Sequence, residues 1–489
     1  MRAASGQVAA IDLGATSGRV MVADIAPGRI ELEQAARFAN TPVHLFDGSR
    51  TALHWDLPGL FSAACAGLAE AGRHSDRLVG IGVDSWAVDY GLMRNGRLLG
   101  VPHHYRDPRS ASGVEAVHEI IEPADLYRRN GLQFLPFTTV YQLAADHAAG
   151  LLDIADSALL IPDLIGYWLT GERATERTNA STTGLLGVGG SWDRSLTRQL
   201  SLPDNLFPDL TEPGRPLGGV LPEIATPLGL PSSVSVTTVA SHDTASAIAA
   251  IPMDPDSSAY ISCGTWGLVG VETTAPVLSE AAREANFTNE VGVENTTRFL
   301  RNVMGLWLLS ETVRRFRRDG MRADLDELLA GAASVSEPVE VFDTDDPMFL
   351  APGNMPERIG RWYRDRGLRA PRGPAELVRA IVDSLAAAFA ETVRVAAELS
   401  GTGVDRIHLV GGGAQNRLLC QLTADRSGLP VLAGPVEATA LGNVLLTARA
   451  HGLLDGELHA LREFVARNVS VQRFLPRVGT APSFDLAGA

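Results

Sequence analysis

The chain contains no lysine: all 42 of its basic side chains other than histidine are arginine. That absence removes the P-loop with its phosphate-gripping lysine, the strand lysine of protein kinases, and every Schiff-base or pyridoxal-phosphate mechanism. If phosphate is handled here, arginine, backbone amides and a metal must do it. Cysteine is scarce as well. Cys65, Cys263 and Cys420 lie far apart and outside any metal-ligand spacing, which points to buried, inert thiols in a reducing compartment rather than a disulfide scaffold. No basic N-terminal segment leads into an apolar stretch, and no apolar run approaches the roughly 18 residues of a membrane span, so a cytoplasmic protein without a membrane partner is expected. Low-complexity tracts are missing too. Positive charge is in deficit: 42 basic against 57 acidic residues give a net charge of −15. The overall field repels polyanions, which excludes a nucleic-acid partner and requires that an anionic ligand be captured locally.

With 489 residues, 45% of them hydrophobic, the chain has ample apolar material but is too long for one core, so two lobes are expected. The apolar run Val8 to Ile11 ends at Asp12, turns through Leu13-Gly14-Ala15-Thr16-Ser17-Gly18 and leaves through Arg19 to Ile25, a hairpin with a glycine-rich tip. About 250 positions later, residues 259–271 repeat the pattern around Cys263-Gly264-Thr265. Each hairpin starts one half, and the break at residues 251–255 puts the boundary near Pro252: an N-terminal lobe over 1–251 and a C-terminal lobe over 252–489, each an α/β unit around its own sheet. Residues 78–84 read as a buried strand, 375–399 as a long helix, 407–410 as a strand broken by Gly411-Gly412-Gly413, and 438–451 as another helix. The proline- and glycine-dense stretch 202–231 reads as a long irregular connection. The arginine-rich run 314–318 reads as a solvated helix face.

Ala15, Thr16, Ser17, Gly18 and Arg19 combine close backbone approach, hydroxyl donors and a guanidinium fork, a composition suited to phosphate oxygens. Asp12 at the strand end could hold a magnesium ion through water. An ordinary Gly/Ser turn has the same composition, but Gly264 and Thr265 put a matching turn in the other half, and two such tips can clamp one polyphosphate. Gly411-Gly412-Gly413 permits a flat purine to lie on the backbone, or else a close strand-to-helix turn. Asp243, after a strand-like run and before a helix-like one, suits either a catalytic base or a helix N-cap. A helix start would depress its pKa. Trp55, Asp84 with Trp86, Arg106 with Asp107, and Asn302 could each bind sugar hydroxyls or simply pack.

Residues 10–19, 81–89, 105–107, 131–137, 240–247, 263–266, 302–309, 410–413 and 434–443 together resemble the FGGY family of carbohydrate kinases, nearly end to end. The resemblance implies two ribonuclease H-like, actin-like ATPase domains flanking an active-site cleft, with ATP and Mg2+ and a small-molecule ketose as partners, in a monomer or homodimer. By resemblance, Ala15 to Arg19 and Thr265 would contact the ATP phosphates and Gly412 the adenosine. Asp243 would accept the proton, and His242, Thr244, Asn302 and the backbone at Ala87 would contact the ketose. The stretches 133–137 and 302–309 resemble the branch acting on L-rhamnulose, which implies phosphorylation at the 1-hydroxyl to give L-rhamnulose 1-phosphate and ADP in L-rhamnose breakdown. The alternatives are a kinase for L-fuculose, L-ribulose or xylulose, or a non-catalytic nucleotide-binding regulator. Three features depart from the family pattern. Ala87 replaces a glycine, Ser310 replaces a glutamine near the nucleotide, and Thr423 and Ser427 stand where some relatives carry paired cysteines.

Overall fold

The structure, a computed structural model, describes residues 5–73 and 77–477. The chain forms two compact units. The first takes residues up to Pro252 together with Thr274–Arg298 and Ala438–Val469; the second takes Met253–Thr273, Phe299–Glu437 and the chain from Ser470. A single cut at 251/252 marks where the chain first leaves the first unit, but two later segments return to it. Hydrophobic pattern reports that a helix has an apolar face and is silent on which sheet receives it.

The first unit is built on a six-stranded sheet in the order Arg215–Gly219, Ser235–Thr238, Leu78–Ser85, Gly6–Leu13, Ser17–Ala26, Arg29–Ala39. Gly6–Leu13 pairs antiparallel with Ser17–Ala26 and parallel with Leu78–Ser85, which pairs parallel with Ser235–Thr238. A strand paired on both edges and covered on both faces needs apolar residues at consecutive positions. Val8, Ala9, Ala10 and Ile11 meet that need, all fully buried. Helix Ala438–Ala450 covers one face, with Ala440, Val444 and Ala448 packed on Val8, Ala10, Met21, Ala23 and Ile25. Helix Leu57–Arg73 covers the other, its Gly67 so close to Val20 that a Cβ would stand 2.5 Å from that side chain.

In the second unit, Ser258–Cys263 and Trp266–Thr273 form an antiparallel hairpin, and Ser258–Cys263 pairs parallel with Arg406–Val410, which pairs parallel with Val431–Ala433. The order Thr297–Met304, Trp266–Thr273, Ser258–Cys263, Arg406–Val410, Val431–Ala433 repeats the first unit's arrangement of hairpin plus parallel strands. Helix Gly373–Ser400 lies in this unit and stops at Gly401, whose left-handed φ of 76° closes the last turn. The fold is thus α/β and duplicated, as the two hairpins imply.

The stretch 202–231 is more ordered than its composition implies. It contains the strand Arg215–Gly219 and the helix Pro222–Leu228. Pro216 is tolerated because that strand lies at the sheet's edge and its pairing shifts register between Pro216 and Gly218. Within 314–318, Phe316 is buried while Arg314 and Arg315 pair with Glu311 and Asp319 on their own helix, as expected of a solvated face. Among the described residues no helix is long and apolar enough to cross a membrane.

Helix Ala438–Ala450 also meets helix Asp243–Ala249 at Gly442, where a Cβ would fall 1.8 Å from the Ser246 carbonyl oxygen. Gly442→Ala should therefore lower stability by about 1–3 kcal/mol. Gly189→Ala, with no heavy atom within 4 Å of the new methyl, should stay within about 0.5 kcal/mol. Chemical denaturation of the two variants checks the contrast.

Candidate active site

The two central strands of the first unit end in acids. Their register places Asp12 opposite Asp84 across the parallel pair and opposite Arg19 across the hairpin. Arg19 Nε lies 3.0 Å from Asp12 Oδ2, and Asn443 Nδ2 donates to Asp84 Oδ2 at 2.6 Å. Burial raises the Asp12 carboxyl to about 6; Arg19 pulls it down and the nearby Asp243 charge pushes it up. Asp84, fully buried, is raised well above the carboxylate range by burial and by the charge of Asp12. Among the described residues no group of three or more His, Cys, Asp or Glu side chains gathers to cage a metal.

Ala15, Thr16 and Ser17 form the tip of the hairpin. Gly14 N–H donates to Ser17 O at 3.0 Å, and Asn40 fastens the tip through its backbone N–H to Thr16 O and its side-chain amide to Gly14 O. Thr16 is exposed, and Ala15 and Ser17 are half-buried. Gly18 is demanded by packing, because a Cβ there would come within 2.3 Å of the Phe38 ring.

Beside the strand Leu78–Ser85, the turn Trp86-Ala87-Val88-Asp89 carries strain. Val88, a β-branched residue, sits at φ 67°, a conformation such residues rarely adopt and one that costs about 1–3 kcal/mol. The surroundings hold it there. Thr139 Oγ1 donates to Val88 O at 2.7 Å, Asp89 N–H to Ala87 O at 2.9 Å, and Trp86 N–H to Leu13 O at 3.1 Å. Asp89 is the anchor: its buried carboxylate accepts from the indoles of Trp55 (2.6 Å) and Trp86 (3.0 Å), from Gln142 Nε2 (2.9 Å) and from Tyr105 N–H (3.2 Å). Burial nevertheless pushes its carboxyl up to about 6. The indole N–H groups of Trp55 and Trp86 are thereby committed to the protein. Asp107 is likewise occupied, by the Arg50 guanidinium and the N–H groups of Leu53 and Arg109. Ala87 remains half-buried at the apex of the turn.

Asp243 opens the helix Asp243–Ala249, yet the cap position is His242, and no side chain caps the helix. The capping role that competes with a catalytic one for Asp243 is thus not the one it fills. Its Oδ1 accepts from Thr244 Oγ1 at 3.1 Å and lies 3.4 Å from His242 Nε2. Its pKa is raised, not lowered as a helix start alone would have it, because burial outweighs the His242 contribution and the local hydrogen bonds. The preceding segment is pinned by buried Glu176, which takes the Ser241 N–H (2.9 Å) and Oγ (2.8 Å), and by Ser85 N–H, which donates to Ser241 O at 2.9 Å. His242 is in turn backed by Glu290 and the fully buried Arg298. Asp12, Asp84, Asp243, His242, Thr244 and the Ala87 turn therefore all belong to the first unit. Sequence reasoning met Asp89 and Asn443 only within stretches that carry the family resemblance, gave them no role, and did not single out Gln142, Glu176, Glu290 or Arg298. Each acts through a partner distant in sequence, and of the six only Asp89 stands as a charge between apolar residues.

The second unit carries Thr265, Asn302 and Gly412. Thr265 is half-buried at the hairpin tip, where Gly264 O accepts from Leu306 N–H at 2.9 Å. Asn302 is half-buried on the strand Thr297–Met304, and Ser310 is exposed on the helix Trp307–Arg318. The three glycines at 411–413 divide by role. Gly411 has φ 78° and sits against the Cys263 backbone, and a Cβ on Gly413 would fall 2.5 Å from Cys263 Cβ and Sγ. A Cβ on Gly412 would meet nothing nearer than 4.0 Å. A close packing turn explains the outer two glycines and leaves the middle one unexplained. All three cysteines are free; Cys263 and Cys420 are buried, their thiols raised by burial, and Cys65 is half-buried.

The fold is shared with a gluconate kinase from Lactobacillus acidophilus (TM-score 0.79, 17% identical, covering 98% of this chain and 96% of that one). It is shared too with a xylulose kinase from Rhodospirillum rubrum (TM-score 0.76, 22% identical, 97% and 95%). The class is the two-domain sugar-kinase fold of the actin-like ATPase type. The sequence narrows it further. Residues 7–249 match the N-terminal domain, and residues 259–451 the C-terminal domain, of the FGGY family of carbohydrate kinases. A protein named rhamnulokinase from Pectobacterium atrosepticum is 40% identical over 487 residues (98% of this chain, 94% of the relative), and one from Bacillus subtilis is 38% identical over 472 (96% and 95%). The chain belongs to the FGGY family of carbohydrate kinases, and sugar and ATP are its small-molecule substrates.

The raised carboxyl of Asp89 predicts a pH dependence. A group more basic in the folded state than in the unfolded one contributes stability below its unfolded pKa and loses it as pH rises through the folded value. The stability of the wild type relative to Asp89→Asn should therefore be greatest near pH 4 and fall by about 3 kcal/mol by pH 7. Paired urea melts across that range check it.

Proposed function

We propose that the chain transfers the γ-phosphoryl group of ATP to the 1-hydroxyl of L-rhamnulose, with Asp243 as the base. The first unit supplies most of the sugar and phosphate contacts, and the second supplies the adenosine contact together with those of Thr265 and Asn302. The observation that carries the chemistry is Asp243, a carboxylate at a helix start that is not spent on capping and whose burial makes it more basic than usual. The choice of ketose is supported by 38–40% identity, over nearly the full length, to proteins named rhamnulokinase.

In the reaction the sugar oxygen bonds to the γ-phosphorus as the bridging P–O bond to ADP breaks, and the hydroxyl proton passes to Asp243. The transition state is loose, so the proton moves late and the base serves chiefly to orient the hydroxyl. His242, Thr244, Asn302 and the backbone at Ala87 contact the ketose, and the strained turn holds Ala87 in place for that contact. Ala15 to Arg19 and Thr265 contact the phosphates, where Arg19 supplies the charge that lysine supplies in a P-loop. The donor set at Asp12 and Asp84 fits magnesium bound together with ATP. Two buried acidic side chains call for a cation, and too few ligands gather for a resident metal, as suits an ion that keeps its waters and shares the phosphates. Bound there, it would neutralise charge on the phosphate oxygens.

A coupled ADP-release assay over L-rhamnulose, L-fuculose, L-ribulose and xylulose should give the highest kcat/KM with L-rhamnulose. Asp243→Asn should lose about 10²- to 10⁴-fold in kcat. Preference for another ketose rejects the sugar, a near-normal Asn variant rejects the base, and silence on every sugar leaves a nucleotide-dependent regulator. Gly412→Ala should leave the melting temperature unchanged and raise KM for ATP, since its methyl meets no protein atom within 4 Å; Gly413→Ala should lower the melting temperature. An unchanged KM for ATP in Gly412→Ala overturns the adenosine contact.

A further inference from the structure

We infer that Glu290 and Arg298 are positioning residues that fix His242 in a single tautomer, with its Nε2–H turned to Asp243. The inference rests on the reading of Asp243 as the base and goes beyond it to the device that aims it.

Arg298 is fully buried; it makes two hydrogen bonds and one ion pair within the first unit. Nε donates to Val291 O at 3.1 Å, Nη1 lies 2.9 Å from Glu290 Oε2, and Nη2 is 3.1 Å from His242 Nδ1. A guanidinium has no acceptor and keeps its protons in proteins, so a ring nitrogen that bonds to it must accept. A neutral imidazole has one donor and one acceptor, so the proton sits on Nε2. Nε2 is 3.4 Å from Asp243 Oδ1, the oxygen that also accepts from Thr244 Oγ1 at 3.1 Å. Thr244 Oγ1 and the near side of the imidazole thus both lie against Oδ1 and fix the orientation of the carboxylate that is to receive the sugar proton.

Glu290 has two parts in this. It compensates a guanidinium that the interior would otherwise strand unpaired. It also lies 3.3 Å from His242 Nδ1 and competes with Arg298 for that nitrogen. Arg298 demands a bare Nδ1, whereas Glu290 alone would demand an Nδ1–H. Removing Arg298 while Glu290 stays should therefore flip the ring's proton to Nδ1 and turn a bare Nε2 lone pair on the Asp243 carboxylate. Among the described residues, the charged and titratable groups facing His242 are Asp243, Glu290 and Arg298.

The test compares Arg298→Met, Glu290→Gln with Arg298→Met, and Arg298→Lys in the full chain. Nitrogen-15 spectra of histidine-labelled protein, with the His242 signals assigned through His242→Gln, should show Nε2–H in the wild type and Nδ1–H in Arg298→Met. In the ADP-release assay Arg298→Met should lower kcat by about 10- to 100-fold with KM for ATP unchanged. The double variant should recover part of that loss, because the competing carboxylate is gone. Should Arg298→Met fail to fold, Arg298→Lys takes its place: an ammonium lacks the planar fork, so kcat should fall and the Nε2–H signal weaken. An Nδ1–H in the wild type, or wild-type kcat in a folded Arg298 variant while Asp243→Asn is dead, overturns the inference. Activity in Asp243→Asn overturns instead the reading on which it rests.

Discussion

Two acidic side chains, Asp12 and Asp84, stand next to each other inside a protein, and the first unit is organised around making that tolerable. Parallel pairing of their strands sets the Cα atoms opposite one another, so the carboxyls cannot separate without shifting the register of the central sheet. Burial and mutual repulsion both disfavour the ionised pair. Compensation comes from two directions. The hairpin returns Arg19 opposite Asp12, and the helix Ala438–Ala450 delivers Asn443 to Asp84 from more than 350 residues away. The helix comes close enough for that bond because the sheet offers glycine beneath it: a Cβ on Gly82 would stand 1.9 Å from Asn443 Oδ1. That same approach explains why a segment late in the chain belongs to the first unit.

Around this pair the chain uses buried polar groups as struts. Glu176 anchors the segment before Asp243, Asp89 anchors the turn that carries Ala87, and the Glu290–Arg298 pair stands behind His242. Glu176 and Asp89 each take several donors at once, and Glu290 pairs with the Arg298 guanidinium, so the segment each anchors has one place to be. Val88 shows the consequence. A β-branched residue stays at positive φ because neighbouring hydrogen bonds over-determine the turn, and the strain falls beside Ala87 at its apex.

The missing lysine bears on all of this. Arginine keeps its charge when buried and serves several acceptors from one planar group, which Arg298 does with a carbonyl, a carboxylate and an imidazole. A lysine ammonium in that place would be a point charge prone to lose its proton. A chain whose only strong cations are guanidinium groups adds no second titrating base beside such buried acceptors.

Much was legible in the sequence alone. The duplicated hairpins announced two similar α/β units, because strand, turn and strand are local features written in consecutive residues. The places of Asp12, the glycine-rich tips and Asp243 at the ends of elements were legible for the same reason. The tertiary structure decided what depends on partners far apart in the chain. It assigned the segments 274–298 and 438–469 to the first unit. It separated Gly412 from the glycines that packing explains, and it spent Trp55 and Trp86 on Asp89 rather than leaving them open. It also supplied Glu290, Arg298 and Asn443, which nothing in their own neighbourhoods marks. Short-range pattern reports which elements form. Which buried charge meets which donor is settled only when sheets and helices from opposite ends of the chain pack together, because that is where water is excluded and an unpaired polar group becomes costly.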